Sequence, residues 1–298
     1  MPAPVPHRDD SPLPVLPRRA AESNKGSYGR VLLVGGARGM TGAIGLAGMA
    51  CLRSGAGLTE LAVARSCQAI VAGYEPSYMT TGLSEDAEGR LVAAATYELE
   101  PHLAKATTLA CGPGLALTEG TESLVLSLYD SFPHPAVFDA DALNALAKHP
   151  ERLANHTGPR VLTPHPGEFA RLTGQTIAEV QATRTDLASD FARRNNVVVV
   201  LKGHHTCITD GARVALNTTG NPGMATGGTG DVLTGIVAAL LAQGLDAYHA
   251  ARLATHLHGL AGDLAAAELG ETSLIASDLV KHLPAAFMAH TQHAGTKH

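Results

Sequence analysis

The residues best placed to do chemistry lie in one segment, Asn221-Pro222-Gly223-Met224-Ala225-Thr226-Gly227-Gly228-Thr229-Gly230-Asp231. It runs straight into residues 232–243, which put Val232, Leu233, Ile236, Val237, Leu240 and Leu241 on one helical stripe before Gly244. Glycines at a helix N-terminus free successive backbone N–H groups, and the helix dipole favours negative charge at the same place. Such a cradle suits a phosphate. At background frequencies the string Gly-Gly-Thr-Gly-Asp arises by chance in about one chain of this length in a thousand. Asp231 can be a helix N-cap. It can also be a base for a hydroxyl that attacks a phosphoryl group held by Gly228, Thr229 and Gly230.

Further strand-end segments could complete such a site. Residues 34–42 read Val-Gly-Gly-Ala-Arg-Gly-Met-Thr-Gly. A dinucleotide fingerprint fails there, because Ala37 and Met40, or Arg38 and Thr41, stand where glycines are needed; a Walker A loop fails for want of Gly-Lys-Ser/Thr. The loop is either a packing turn or a backbone wall of a pocket. Cys111-Gly112-Pro113-Gly114 makes a second rigid turn. In Thr163-Pro164-His165-Pro166-Gly167-Glu168 two prolines fix the backbone around His165. Glu168 either complements the following helix dipole or holds a magnesium–water cluster while His165 meets substrate. Lys202-Gly203-His204-His205-Thr206 adds a cation and a hydroxyl, as surface groups or as contacts to nucleotide phosphates.

These segments need a frame. Short continuous apolar runs at 30–34, 59–64, 107–111, 136–139, 160–163 and 197–201 predict strands buried on both faces. Helical stretches at 41–54, 121–129, 141–148, 167–172 and 177–194 separate several of them, which predicts right-handed crossovers and a largely parallel sheet. Asp210-Gly211 between 207–209 and 213–216 signals a hairpin, hence one antiparallel edge. Residues 232–287 read as mostly helical. One three-layer α/β domain over 25–287 is expected, with a proline-rich flexible arm at 1–24 and a frayed tail at 288–298.

Composition narrows the partners. Lys and Arg number 22 against 27 Asp and Glu, a net charge of −5, so no basic platform for nucleic acid is expected. The 45% hydrophobic content excludes a disordered chain. Four scattered cysteines, no signal-like leader and no apolar run long enough to span a bilayer predict a cytoplasmic protein away from membranes. The 32 glycines in 298 residues exceed the background of about 7% and suit backbone contact with a small anionic ligand. Fifteen histidines suggest metal, but only His204-His205 and His256-x-His258 are close, and the second pair cannot share a helix face.

Taken in order, the motifs resemble the ADP/ATP-dependent NAD(P)H-hydrate dehydratases of the ribokinase-like superfamily. The matching pieces are Lys25-Gly26-x-x-Gly29-Arg30-Val31, the 35–43 loop, Leu52-Arg53-Ser54-Gly55-Ala56-Gly57-Leu58, Gly112-Pro113-Gly114, Asp139-Ala140-Asp141-Ala142-Leu143-Asn144, the 163–168 segment, Leu201-Lys202-Gly203 and 221–231. The resemblance implies a three-layer ribokinase-like sandwich and a hydro-lyase that repairs hydrated nicotinamide cofactors. ADP, or ATP, would phosphorylate the ring hydroxyl of NAD(P)H hydrate, and loss of phosphate would restore NAD(P)H. By that resemblance Asp231 is the base, with Gly228, Thr229 and Gly230 steadying the phosphoryl group. Ala43, Gly114 and His165, with Asp139 and Asn144 behind them, would meet the hydrate together with Asp231. Lys202, Gly203, His204, His205 and Thr206, with Gly230, would hold the nucleotide. Mg2+ would neutralise phosphate charge with Glu168 as its partner, directly or through water. A homotetramer and a separate epimerase in the same pathway are also implied. Asn24 stands where relatives often have His, so that loop is left out of the site. A small-molecule kinase of the same superfamily, or a non-catalytic nucleotide-binding regulator, are the competing readings.

Overall fold

The computed structural model describes residues 6–295. Among the described residues ten strands form one sheet: β1 His7–Arg8, β2 Arg30–Val34, β3 Leu58–Ala64, β4 Met79–Leu83, β5 Thr108–Cys111, β6 Ala136–Phe138, β7 Arg160–Leu162, β8 Val198–Leu201, β9 Cys207–Thr209 and β10 Arg213–Leu216. Their order is β1-β10-β9-β8-β7-β6-β5-β2-β3-β4. Neighbours from β8 to β4 run parallel, and β9 is antiparallel to both β8 and β10. The central strands β2, β5 and β6 are apolar and almost wholly buried, as expected when helices cover both faces.

The helices are α1 Thr41–Arg53, α2 Gln68–Ala72, α3 Ala95–Leu103, α4 Glu119–Ser131, α5 Asp141–Leu146, α6 Pro166–Thr173, α7 Ile177–Ala182, α8 Arg184–Asn195, α9 Thr229–Ala242, α10 Ala247–Leu269 and α11 Ala276–Gly295. The chain passes from β2 to β3 through α1 in one direction, and from β5 to β6 through α4 in the other. Right-handed crossovers, the rule for parallel strands, put α1 and α4 on opposite faces. Helices α9, α10 and α11 join α1 in its layer. The order of strands therefore reverses between β2 and β5, and ligands of open α/β sheets bind beyond the strand ends at such a point.

Several expectations need correction. The single helix expected over 177–194 breaks at Thr183, whose backbone leaves the helical region at φ −133° and whose hydroxyl donates back to the Glu179 carbonyl. Strand β4 and helices α2 and α3 were not expected; β4 carries threonines and Gly82, and α3 contains Pro101. The segment before Lys25 is not a free arm over its described part. His7 and Arg8 pair with β10, and Asp9 reaches the guanidinium of Arg252 on α10. The tail expected to fray from 288 instead continues α11 to Gly295, and residues 1–5 and 296–298 lie outside the described residues.

Candidate active site

Four segments singled out by their residue types follow the C-terminal ends of β2, β5, β7 and β8, and the 139–144 segment of the resemblance follows β6. The first two meet at the reversal point, where Gly36 donates to the Pro113 carbonyl at 3.0 Å and Ala37 to the Gly114 carbonyl at 2.7 Å. Gly114 packs beside the first turn of α1, and a Cβ there would lie 2.5 Å from the Met40 carbonyl oxygen and 3.2 Å from Ala43 Cβ. Ala43 and Gly114 are thus brought into one wall of the site.

Helix α9 delivers the anion cradle. It crosses α1 so closely that a Cβ on Gly235 would stand 2.1 Å from the Ala47 carbonyl oxygen. Gly228 caps α9 with φ +94°, a conformation that glycine alone adopts without strain. The Thr229 hydroxyl turns back to the Met224 and Thr226 carbonyls, 3.1 Å from each. Among the described residues the amides of Gly228, Thr229 and Gly230 have no acceptor, as the first turn of a helix requires. Three N–H donors therefore remain for a ligand anion.

Behind the cradle lies a charged cluster. Lys202 Nζ, at the end of β8, donates to Asp139 Oδ1 at 2.8 Å and sits 3.9 Å from Glu168 Oε2. The Thr234 hydroxyl, one turn along α9 from Asp231, donates to Asp139 Oδ2 at 2.7 Å. A Cβ on Gly230 would be 3.2 Å from Lys202 Nζ, so the ammonium lies directly against the cradle. Burial first, then nearby Asp139, raise the Asp231 carboxyl to about 7 against the opposing charge of Lys202. Burial works against the Lys202 ammonium, but Asp139 and Glu168 outweigh it and hold its pKa above the usual value. A carboxyl poised near neutrality is what a general base needs.

His165 caps α6 from between its prolines. Its Nδ1 accepts from the Gly167 and Glu168 amides at 3.0 and 3.3 Å, while its own amide donates to Glu168 Oε2 at 2.7 Å. Burial first, then Lys202 and Arg171, lower its pKa and favour the neutral ring. Its side chain is half exposed and free to meet a ligand. Burial raises the Glu168 carboxyl above its ordinary range.

Some expected site residues sit differently. Asp139 is only 1% exposed, and both its oxygens are engaged by Lys202 and Thr234. Its carboxylate faces the Lys202 ammonium and the Thr234 hydroxyl at the end of β6. Asn144 is tied to Arg171 Nε at 2.9 Å. Of the 202–206 segment only Lys202 bonds into the cluster. Gly203 to Thr206 form an exposed turn closed by the Thr206 hydroxyl on the Gly203 carbonyl, with the His204 and His205 rings 3.9 Å apart. Sequence reasoning missed Thr234, whose only signal is its place one helical turn after Asp231.

For a metal, no three His, Cys, Asp or Glu side chains converge among the described residues. Magnesium held by water and substrate phosphates needs only one or two protein carboxylates. Glu168 fits that demand, since among the described residues its Oε1 has only the His165 Nε2, at 3.4 Å.

Free amides at the head of α9 over a near-neutral carboxyl, at the reversal point of a largely parallel sheet, sit on a ribokinase-like scaffold. Ribokinase of Thermotoga maritima shares that fold with a TM-score of 0.51, at 16% identity over 88% of this chain and 99% of that one. The sequence model of the NAD(P)H-hydrate dehydratase family matches residues 31–285, and the chain belongs to that family. The bifunctional NAD(P)H-hydrate repair enzyme Nnr of Moorella thermoacetica is 50% identical over 271 residues, 90% of this chain and 51% of that protein. The chain spans about half the length of the first curated relatives it matches. The ADP-dependent (S)-NAD(P)H-hydrate dehydratase of Bacillus subtilis is 37% identical and is covered over 92% of its length, with 90% of this chain aligned. A crystal structure of the ADP/ATP-dependent Bacillus subtilis enzyme, co-crystallized with ATP/Mg2+, superposes with a TM-score of 0.80 at 33% identity, covering 93% of this chain and 95% of that one.

Proposed function

We propose that this protein returns hydrated NAD(P)H to NAD(P)H at the expense of a nucleoside phosphate, with ADP as the expected donor and ATP as the alternative. The observation that carries the reading is the Asp231 carboxyl, raised to about 7, beside three unpaired amides at the head of α9. Asp231 takes the proton from the ring hydroxyl of the hydrate. The hydroxyl oxygen attacks the terminal phosphorus, and the bond from that phosphorus to the rest of the nucleotide breaks. The amides of Gly228, Thr229 and Gly230 receive the charge on the transferring group, with Lys202 beneath them. The carbon–oxygen bond to the new phosphate then breaks with its electron pair leaving on phosphate, a neighbouring ring carbon passes its proton to that departing phosphate, and the ring double bond returns. Ala43, Gly114 and His165 would line the nicotinamide side, and the 203–206 turn would flank the nucleotide. Magnesium, when bound near Glu168, would supply charge neutralisation to the phosphates.

The names of the relatives support the substrate, and four buried cysteines fit a cytoplasmic setting. No helix among the described residues is long and apolar enough to cross a membrane. A homotetramer, to be read by gel filtration, and an epimerase acting on the other epimer complete the proposal. Purified protein with hydrated NADH, magnesium and ADP or ATP should restore the absorbance of reduced nicotinamide. Nucleotide consumption with a stable phosphorylated product would instead identify a kinase, and binding without turnover a regulator.

A further inference from the structure

The cradle's outer side rests on α10, and the contacts are specific. The Thr219 hydroxyl donates to the His256 carbonyl at 2.9 Å, and a Cβ on Gly259 would meet that hydroxyl at 2.3 Å. One turn further, Asp263 receives the Gly220 amide on Oδ2 at 2.9 Å and the Asn221 side-chain amide on Oδ1 at 3.0 Å. Asn221 in turn accepts from the Gly223 amide at 3.0 Å, so Asp263 orients the start of the loop. At the other end His258 Nε2 donates to the Thr229 carbonyl at 2.8 Å. That carbonyl belongs to the peptide unit whose nitrogen is Gly230, one of the three free donors. Two side chains of one helix thus grip both ends of residues 220–230.

We infer that His258 and Asp263 are positioning residues, a two-point clamp by which α10 sets the direction of the Gly228 to Gly230 amides. Both act through the loop, His258 on the Thr229 carbonyl and Asp263 on Gly220 and Asn221. The inference rests on the proposed function for its activity readout. Burial lowers His258 to about 4, so its ring remains a neutral donor throughout the working range. The ring of its neighbour His256 instead faces the tilted His290 ring, 5.6 Å away between centroids, and only the His256 backbone carbonyl meets the loop.

The test uses the full chain. His258→Leu fills the space without a donor and should lower kcat about 10–100-fold, the scale of a misplaced catalytic group, with KM for ADP and hydrated NADH within about twofold. His258→Gln, whose amide can reach the Thr229 carbonyl, should recover most of the loss. Asp263→Asn sets an NH2 group against either the Gly220 amide or the Asn221 side-chain amide, both donors, and should lower kcat similarly. Adding Asn221→Asp restores a donor–acceptor pair and should recover activity. Hydrogen exchange of the peptide 220–233 in nucleotide-free protein should quicken in His258→Leu and Asp263→Asn. Unchanged kcat, no rescue by either restoring change, or loss of kcat, KM and melting temperature together would overturn the clamp. Should the wild type fail to regenerate NADH, the proposed reaction falls while exchange still decides: faster exchange sustains the clamp and unchanged exchange removes it.

Discussion

Lys202 Nζ lies 2.8 Å from Asp139 Oδ1, tying the end of β8 to the end of β6 across β7. The pair is nearly out of water, so each charge depends on the other. Lys202→Met would strand Asp139, at a cost of about 3–5 kcal/mol to folding. The double change Lys202→Met with Asp139→Asn should be less destabilised than the single, read by urea unfolding. Lys202 also lowers the Asp231 carboxyl, so its loss should move the acidic limb of kcat/KM to higher pH. A limb that moves to lower pH contradicts this electrostatic picture.

Asp231 makes opposite predictions for activity and stability. As a base it must be ionised, so kcat/KM should rise with pH through about 7. Asp231→Asn should cost about 10²–10⁴-fold, the usual contribution of a general base. A loss below about tenfold would remove it from that role. For stability, its folded pKa is raised above the ordinary 3.8. The fold therefore binds the neutral form more strongly, and the wild type loses stability as pH rises from 3.8 through about 7. Asn carries no charge, so the melting advantage of the variant should widen between pH 5 and pH 8 buffers, about where this carboxyl titrates.

Gly230 separates site effects from fold effects. Its backbone is helical, so alanine is acceptable to the helix and slightly favourable there. Its Cβ, however, would stand 3.2 Å from Lys202 Nζ and inside the cradle. Gly230→Ala should keep or raise the melting temperature while lowering kcat about tenfold or more through a crowded phosphoryl position. Equal falls in stability and activity would mean that the residue serves only packing.

Much of this was legible in the sequence, and for physical reasons. The buried strands read clearly because a strand covered on both faces needs unbroken apolar residues, as residues 31–34 and Val198–Leu201 show. The cradle read clearly because its chemistry depends on backbone amides, which demand glycines at fixed positions. What side chains do across the sheet was not legible. Nothing local to Asp139 says that its partner is Lys202, 63 residues away. His258 was weighed only as a metal ligand, and its bond to Thr229 exists only because α10 packs beside α9. Strand β4 stayed hidden because an edge strand tolerates Thr80, Thr81 and Gly82.

The proline-rich segment before Lys25 offers the last test, since its expected freedom is contradicted by a buried ion pair. Asp9 Oδ2 accepts from Arg252 Nη1 at 2.8 Å, and Ser11 adds its hydroxyl and carbonyl to the same guanidinium. Arg252 is 6% exposed on α10, the helix that also carries His258 and Asp263. Burial opposes ionisation of Asp9, but Ser11 and Arg252 outweigh it and hold its carboxyl below 3.8. The stability it contributes is thus present above 3.8 and lost as pH falls through its lowered value. Asp9→Asn should lower the melting temperature at pH 7 by about 5–10 °C, the scale of a broken buried pair in a chain of this size. The difference should vanish in strongly acidic buffer, where the wild type is protonated too. KM for both substrates should not change at temperatures where the variant is folded, because the pair lies outside the site. A variant that melts like the wild type at pH 7 would show that the segment is laid on the body without fastening it.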